Sequence, residues 1–330
     1  MPNSMNLAGA RICPLEHSHT TLSVVTAVIC SILFAATTSL NSLIIYIVLK
    51  DRRNKFKILF YKLLLNIAVA DALTGLITDT VYVGIHVSEA YHAGLKPNEV
   101  IVAHMLMFIF GGVSLITMIY LCIDRIFAIS RPYTYRKGMS QLKSRLLIAS
   151  SWCLSIMQAS LYLVTGFMKY LVVFTIFNIA LPFSVLVLTT VLYHEKLMKE
   201  QPNESGETNG ETSTLKRSTT DAKKGRKATK SFLKMLFVFI FSYVPACFIT
   251  IYFNVCTVCD CLLINVLRDL AVLFILSGSL LRAINFLCSL TSLRKEAALL
   301  LGMSTNENSY SESANLNSGA NYNVPNLTGN

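Results

Sequence analysis

Seven long apolar runs, separated by polar connections, constrain the fold of this chain more than any other feature. The run from Val100 to Ile123 is typical, because it contains no Asp, Glu, Lys or Arg residue. A helix needs roughly 20 such residues to cross a bilayer. Backbone polar groups in lipid must be paired within their own segment, which favours helices. Since 53% of the 330 residues are hydrophobic and only 14% are charged, we predict an all-α integral membrane protein.

These runs predict a seven-transmembrane helix bundle followed by a short amphipathic interfacial helix. The predicted spans are Thr21–Leu49, Leu59–His86, Val100–Ile129, Arg145–Phe167, Tyr170–Tyr193, Lys230–Asn254 and Leu262–Leu290. The predicted organisation is an extracellular segment (1–20), the bundle (21–290) with a flexible third intracellular loop (200–226), the interfacial helix (291–303) and a disordered cytosolic tail (304–330). The interfacial helix is expected because Leu293, Ala297, Leu300 and Leu301 recur at helical spacing.

Basic residues predict the orientation of the bundle. The formal net charge is +11, and the Lys and Arg residues cluster after the first and third predicted spans and before the sixth. This positive-inside pattern predicts an extracellular amino terminus and a cytosolic carboxyl terminus. It also argues against nucleic-acid binding, because the charge is split among short loops. We expect no removable signal peptide. The glycosylation patterns at Asn203 and Asn326 fall on the cytosolic side, so we expect neither to be modified.

Asp124 and Arg125 follow the charge-free run of the third predicted span. An Arg at such a place is often only a stop signal, because its long side chain reaches water cheaply. Here other residues accompany it in order: Asn41, Asn66 to Asp71, Ser114, Asp124-Arg125-Ile126, Pro132, Tyr135, Trp152, Pro182, Phe239, Tyr243 and Pro245. In this order and spacing, the set resembles the rhodopsin-like (class A) G protein-coupled receptors.

This resemblance implies a plasma-membrane receptor that passes an extracellular signal to a heterotrimeric G protein. In that family the Arg matched by Arg125 is held by the neighbouring acid, then extends toward the G protein when the sixth helix swings outward. Ile126 and Tyr135 match the same coupling region. A Pro within a helix permits a kink, so Pro245 is the expected pivot. Ordinary packing is the alternative for Phe239 and Tyr243, and the hydroxyl-rich tail offers phosphorylation sites through which arrestin would bind.

The seventh predicted span departs from the family. Counting back from Leu293 places Arg282 where the family carries Asn, and Phe286 where it carries Tyr. The family's second-helix Asp, third-helix Ser and seventh-helix residues cradle a sodium ion, and the matching set here is Asp71, Ser114, Ser279 and Arg282. An ionised Asp inside a bundle needs a partner, and a guanidinium supplies two parallel bonds. We hypothesise that Arg282 is a tethered cation paired with Asp71. The alternative is that Arg282 reaches the cytosolic interface instead.

The cysteines depart as well, because Val100 stands where most family members carry the third-helix disulfide Cys. The disulfide candidates are Cys13, Cys256, Cys259 and Cys261. This arrangement is similar to the melanocortin and adenosine receptor group, whose third extracellular loop carries its own bridge. Four thiols allow three pairings. An oxidising compartment favours disulfides over a metal site. The remaining thiols are expected to be small apolar fillers: Cys30, Cys122, Cys153, Cys247 and Cys288.

The family's ligand pocket opens outward between helices two, three, six and seven. The matching candidates are Asp79, Tyr82, His104, Met107, Arg268 and Asp269, with Tyr243 below them. Asp79 lies about two turns above Asp71, so the two are expected to share a face. His86 is expected to be an exposed residue near a helix end. Met107 in place of an Asp disfavours an amine, and Leu276 in place of a Lys excludes retinal as far as the resemblance reaches. A peptide or a lipid is the expected ligand.

Other function classes fit less well. No HExxH, P-loop or GxSxG motif is present, so we expect neither an enzyme nor a cofactor. A transporter or channel would show repeated halves and a series of intramembrane charges. A third alternative keeps the receptor fold, with the altered seventh helix leaving a ligand-independent or non-signalling receptor.

Overall fold

The computed structural model describes residues 20–50, 59–91, 97–130, 141–175, 240–253 and 260–300, together with positions 183, 184, 187, 188, 191, 234, 237, 238, 255, 256 and 302. Every regular element within these stretches is helical. The helices are α1 (Thr20–Leu49), α2 (Leu59–Leu73), a π-helical turn (Thr74–Asp79), α3 (Thr80–Ala90), α4 (Pro97–Ser130), α5 (Gln141–Thr165), α6 (Phe167–Thr175), α7 (Ile240–Phe253), α8 (Cys261–Ser289) and α9 (Thr291–Leu300).

Five of the described helical segments are long and apolar enough to cross a membrane. They are Thr20–Leu49, Leu59–Ala90, Asn98–Phe127, Gln141–Thr165 and Leu262–Ser289. They correspond to the first four predicted spans and the seventh. The predicted fifth and sixth spans are described only in part, as α6 and α7. The chain is therefore a multi-pass helical membrane protein, and its full set of seven spans stays a prediction.

Helix α4 packs against both α2 and α5. A buried hydrogen-bond network connects these three helices. The Asn66 side chain of α2 donates to Thr117 of α4 at 2.7 Å and to Ser151 of α5 at 3.1 Å, and it accepts from the Trp152 indole at 3.0 Å. Both the nitrogen and the oxygen of the buried Asn66 amide therefore have partners. These bonds hold α2, α4 and α5 in one specific arrangement.

The π-helical turn interrupts the second span and lies against α1, α4 and α8. Gly75 permits the close approach of α1, because a Cβ atom there would lie 2.7 Å from the Thr38 hydroxyl oxygen. A π turn holds more residues than an α turn. Each residue of the turn, which ends at Asp79, consequently advances by a smaller angle than in an α-helix.

Two connections at opposite ends of the bundle are short. Helices α5 and α6 are joined by Gly166 alone, whose φ of 78° lies in the left-handed region that favours glycine. After α8, the chain enters α9 directly, and Leu293 and Ala297 of α9 are buried while Leu300 is exposed. A helix is thus present where the interfacial helix is predicted.

Candidate functional site

Asp71 and Arg282 form a buried ion pair between α2 and α8. The Arg282 Nε atom donates to Asp71 Oδ2 at 2.9 Å, and one terminal nitrogen donates to Oδ1 at 2.7 Å. The Ser114 hydroxyl of α4 donates to the same Oδ1 at 2.8 Å, and Ser279 accepts from Arg282 at 3.0 Å. The hypothesised pair is present, and Arg282 does not extend to the cytosolic interface.

This pair occupies a fully enclosed place, since the exposed fraction is 0% for Asp71 and 1% for Arg282. The two parallel charge-assisted bonds neutralise a carboxylate that would otherwise be very costly inside the bundle. The Tyr243 side chain of α7 is buried beside them, and its hydroxyl lies close enough to interact with the guanidinium. Four helices therefore meet at one set of polar groups.

Asp124 and Arg125 form a second pair near the carboxyl-terminal end of α4. The Arg125 Nε atom donates to Asp124 Oδ2 at 3.1 Å, and a terminal nitrogen contacts the same oxygen. The guanidinium carbon also lies 4.5 Å from the centre of the Phe60 ring of α2. Asp124 is buried and Arg125 partly buried. The Arg is thus held by an acid on its own helix and by an aromatic face on the next.

A third polar cluster joins α1, α3 and α8 toward the other end of the bundle. Arg268 donates to Glu89 at 3.0 Å and to Asp269 at 2.9 Å. Ser23 donates to Glu89 at 3.3 Å, and Thr26 donates to Asp269 at 3.2 Å. One guanidinium therefore serves two carboxylates, while α1 supplies a hydroxyl to each. We call these five residues the upper cluster.

His86 also belongs beside this cluster, so the prediction that it is exposed is wrong. Its exposed fraction is 2%, and its Nδ1 atom lies 2.9 Å from Glu89 Oε2. The two side chains are three residues apart on α3 and therefore share a face. The contact with Glu89 holds the imidazole ring inside the bundle. The sequence instead predicts a solvent-facing position near a helix end.

Asp79 contrasts with these paired acids. It is the last residue of the π-helical turn, its exposed fraction is 0%, and neither carboxyl oxygen has a hydrogen-bond partner among the described residues. The hydroxyls of Thr37, Thr38 and Thr78 are likewise buried without a partner there.

Residues 40–170 match the family model described as 7 transmembrane receptor (rhodopsin family). This segment of the chain is therefore similar to the rhodopsin-like receptors. It contains Asp71, Ser114, Asp124 and Arg125, whose contacts are given above. No curated protein matches the chain.

The residues predicted to line a ligand pocket are buried or half-buried against other side chains. The Tyr82 hydroxyl lies 3.7 Å from the Met107 sulfur, which joins α3 to α4. His104 Nδ1 lies 3.1 Å from the Tyr162 hydroxyl, joining α4 to α5. Next to them packs an aromatic cluster of Phe108, Tyr162, Tyr170 and Phe174. The six pocket candidates thus lie in three places. Tyr82 of α3 is grouped with His104 and Met107 of α4, Arg268 and Asp269 lie in the upper cluster, and Asp79 lies at the end of the π-helical turn.

Sequence reasoning missed Ser23, Thr26 and Glu89 of the upper cluster, and Phe60 beneath Arg125. Glu89 lies three residues after His86, just beyond the end of the predicted span Leu59–His86, whereas the helix itself continues to Ala90. Phe60 carried no signal, since an aromatic residue in an apolar run reads as ordinary packing.

Several predicted residues lie outside the described part of the receptor: Cys13, Pro132, Tyr135, Pro182, Phe239 and Cys259, with the side chain of Cys261. Ile126 and Pro245 are half-buried in α4 and α7. Cys256 is disulfide-bonded, and its pairing stays a prediction. Cys30 and Cys122 are buried thiols, as small fillers would be. Cys153 and Cys288 are exposed on the outer helix surfaces, so for these two the prediction of a filler role is wrong.

Proposed function

We propose that this receptor lies in the plasma membrane with its amino terminus outside and transmits an extracellular ligand signal to a cytosolic heterotrimeric G protein. The observation that carries the proposal is the position of Arg125 near the carboxyl-terminal end of α4, between Asp124 and the Phe60 ring. The proposal assigns this end of α4 to the cytosolic side. The cation–π contact contributes about 0.5–2 kcal/mol and joins Arg125 to another helix. A rearrangement of α2 against α4 would break this contact and loosen the hold on a guanidinium that a partner protein could bind.

In this proposal, the Asp71–Arg282 pair is the centre of the activation switch. Asp71, Ser114, Ser279 and Arg282 lie on three helices and share hydrogen bonds, and Tyr243 brings in the α7 helix that contains Pro245. Movement of α7 is thereby coupled to the charge at Asp71. From the sequence, Phe239 is assigned to the same activation switch, and Tyr135 is assigned to the G protein coupling surface.

A second candidate function follows from Arg282. A cation fixed to the chain cannot dissociate, so the neutralisation of Asp71 does not depend on any ion in the medium. The equilibrium between resting and active states would then be independent of ions in the medium. This supports ligand-independent signalling as the alternative function. A peptide or a lipid remains the proposed ligand, with arrestin as a proposed partner of the tail.

The test compares G protein activation in cells that express the native receptor, Arg125→Ala or Arg145→Ala, at matched surface expression. Arg145 is the control, because it is an exposed Arg near the start of α5. We expect basal activation that is lost in Arg125→Ala and kept in Arg145→Ala. Equal activation by all three would contradict coupling through Arg125.

Orientation is tested separately with epitope tags at the two termini. We expect antibody to reach the amino-terminal tag on intact cells, and the carboxyl-terminal tag only after permeabilisation. Both tags on one side would refute an odd number of spans.

A further inference from the structure

In the upper half of the bundle, the described buried acids outnumber the guanidinium groups that could pair with them. The buried acids described there are Asp79, Glu89 and Asp269, and Arg268 is the one guanidinium that lies among them in the described residues. Arg268 bonds two carboxylates, those of Glu89 and Asp269. Arg282, which is buried, is bound to Asp71. Asp79 is left as the acid for which the described chain supplies no cation.

The π-helical turn that ends at Asp79 lies near other buried oxygen atoms without partners among the described residues. Thr78 precedes it in the π-helical turn, and Thr37 and Thr38 of α1 lie against that turn at Gly75. The hydroxyl oxygens of all three are buried and have no hydrogen-bond partner among the described residues. Buried hydroxyls are normally paired, so three unpaired hydroxyls at the same π-helical turn as an unpaired carboxyl group need an explanation. π-helical turns themselves occur frequently at functional sites.

We propose that Asp79 is the anchor of a binding site for a small monovalent cation, with the hydroxyls of Thr37, Thr38 and Thr78 as neutral oxygen donors. Carboxylate and hydroxyl oxygens suit a hard cation or an ammonium group, which donates hydrogen bonds. A site for a soft or transition metal is not indicated, because no three His, Cys, Asp or Glu side chains converge within the described residues.

The same chemistry has two sources, a sodium ion or the primary ammonium group of a ligand. A sodium ion would make the site an ion-sensing element one level above the Asp71–Arg282 pair. An ammonium group would give the charge of the extracellular ligand, and this reading rests on the proposed receptor function. The test therefore measures cation binding by the purified receptor without any G protein, so its failure is distinguishable from a failure to signal.

Thermal unfolding of the full-length receptor in lipid nanodiscs is followed at constant ionic strength, with N-methylglucamine replaced by sodium or by methylammonium. We expect a saturable rise in Tm with one or both cations. In Asp79→Asn we expect the affinity to fall by about tenfold or more, since the charged partner is removed. Sodium alone would assign an ion site, and methylammonium would assign a ligand ammonium.

The isosteric Asn variant gives a second signature. Without a small cation, Asp79→Asn should unfold at the same temperature as the native receptor or higher, because the buried carboxyl group makes no stabilising bond among the described residues. At saturating cation the order should reverse. Asp79→Glu should keep the response at lower affinity, and Glu99→Gln is the control, since Glu99 is an exposed acid near the start of α4.

The proposal is overturned if neither cation raises Tm, or if the rise survives in Asp79→Asn. It is also overturned if Asp71→Asn abolishes the rise while Asp79→Asn keeps it.

Discussion

Replacing Arg282 by Gln removes both bonds to Asp71 and leaves a fully buried carboxylate with the Ser114 hydroxyl as its remaining partner. Two charge-assisted bonds contribute about 1.5–3 kcal/mol each. Breaking a buried ion pair by removing one partner costs about 3–5 kcal/mol. We therefore expect Arg282→Gln to lower the unfolding free energy by about 3–5 kcal/mol, and Asp71→Asn by a similar amount.

The double variant Asp71→Asn/Arg282→Gln decides between pairing and mere proximity. With no net charge left, its loss should be smaller than the sum of the two single losses by about 2–4 kcal/mol. Thermal and denaturant unfolding of the purified receptors, with surface expression in cells, measures the cycle. Arg145→Gln serves as the exposed control and should stay within about 0.5 kcal/mol of the native receptor. If the two single losses simply add in the double variant, the reasoning about a coupled buried pair is refuted.

Three further predictions concern contacts at other places in the bundle. Phe60→Leu removes the cation–π contact of Arg125, worth about 0.5–2 kcal/mol, and should raise basal G protein activation. Phe60→Tyr keeps an aromatic ring and should not raise it. Equal activation by the two variants would contradict a role of the ring in holding Arg125. Gly166→Ala should destabilise the receptor by about 1–2 kcal/mol in unfolding measurements, because its backbone is left-handed, and an unchanged Tm would argue against that conformation. Trp152→Phe should cost about 1–3 kcal/mol of unfolding free energy, since it leaves the Asn66 oxygen unpaired, and no loss would show that water replaces the indole.

The long helices could be predicted from the sequence, because length and apolarity alone decide whether a segment spans a bilayer. The predicted bounds of the first span, Thr21–Leu49, differ from α1 by one residue at its start. The Asp71–Arg282 pair could also be predicted. Few charges lie within the spans, and an ionised acid in an apolar interior requires a cation, so the choice of partner was narrow.

The upper cluster could not be predicted in the same way. Near the end of a span, water is an equally good partner for Glu89 or His86, so the sequence does not distinguish a buried network from solvated side chains. The π-helical turn is also invisible to periodicity, because Thr74–Asp79 contains no residue that requires an i→i+5 bond. Its effect is large nonetheless, since it changes the direction in which Asp79 points.

The central claim, coupling through Arg125, is tested most directly with the purified receptor in nanodiscs and purified heterotrimeric G proteins. Guanine-nucleotide exchange is measured for the native receptor, Arg125→Ala and Arg145→Ala. The account predicts that the native receptor and Arg145→Ala accelerate exchange on at least one class of G protein, and that Arg125→Ala does not. Acceleration by Arg125→Ala equal to that of the native receptor would contradict it.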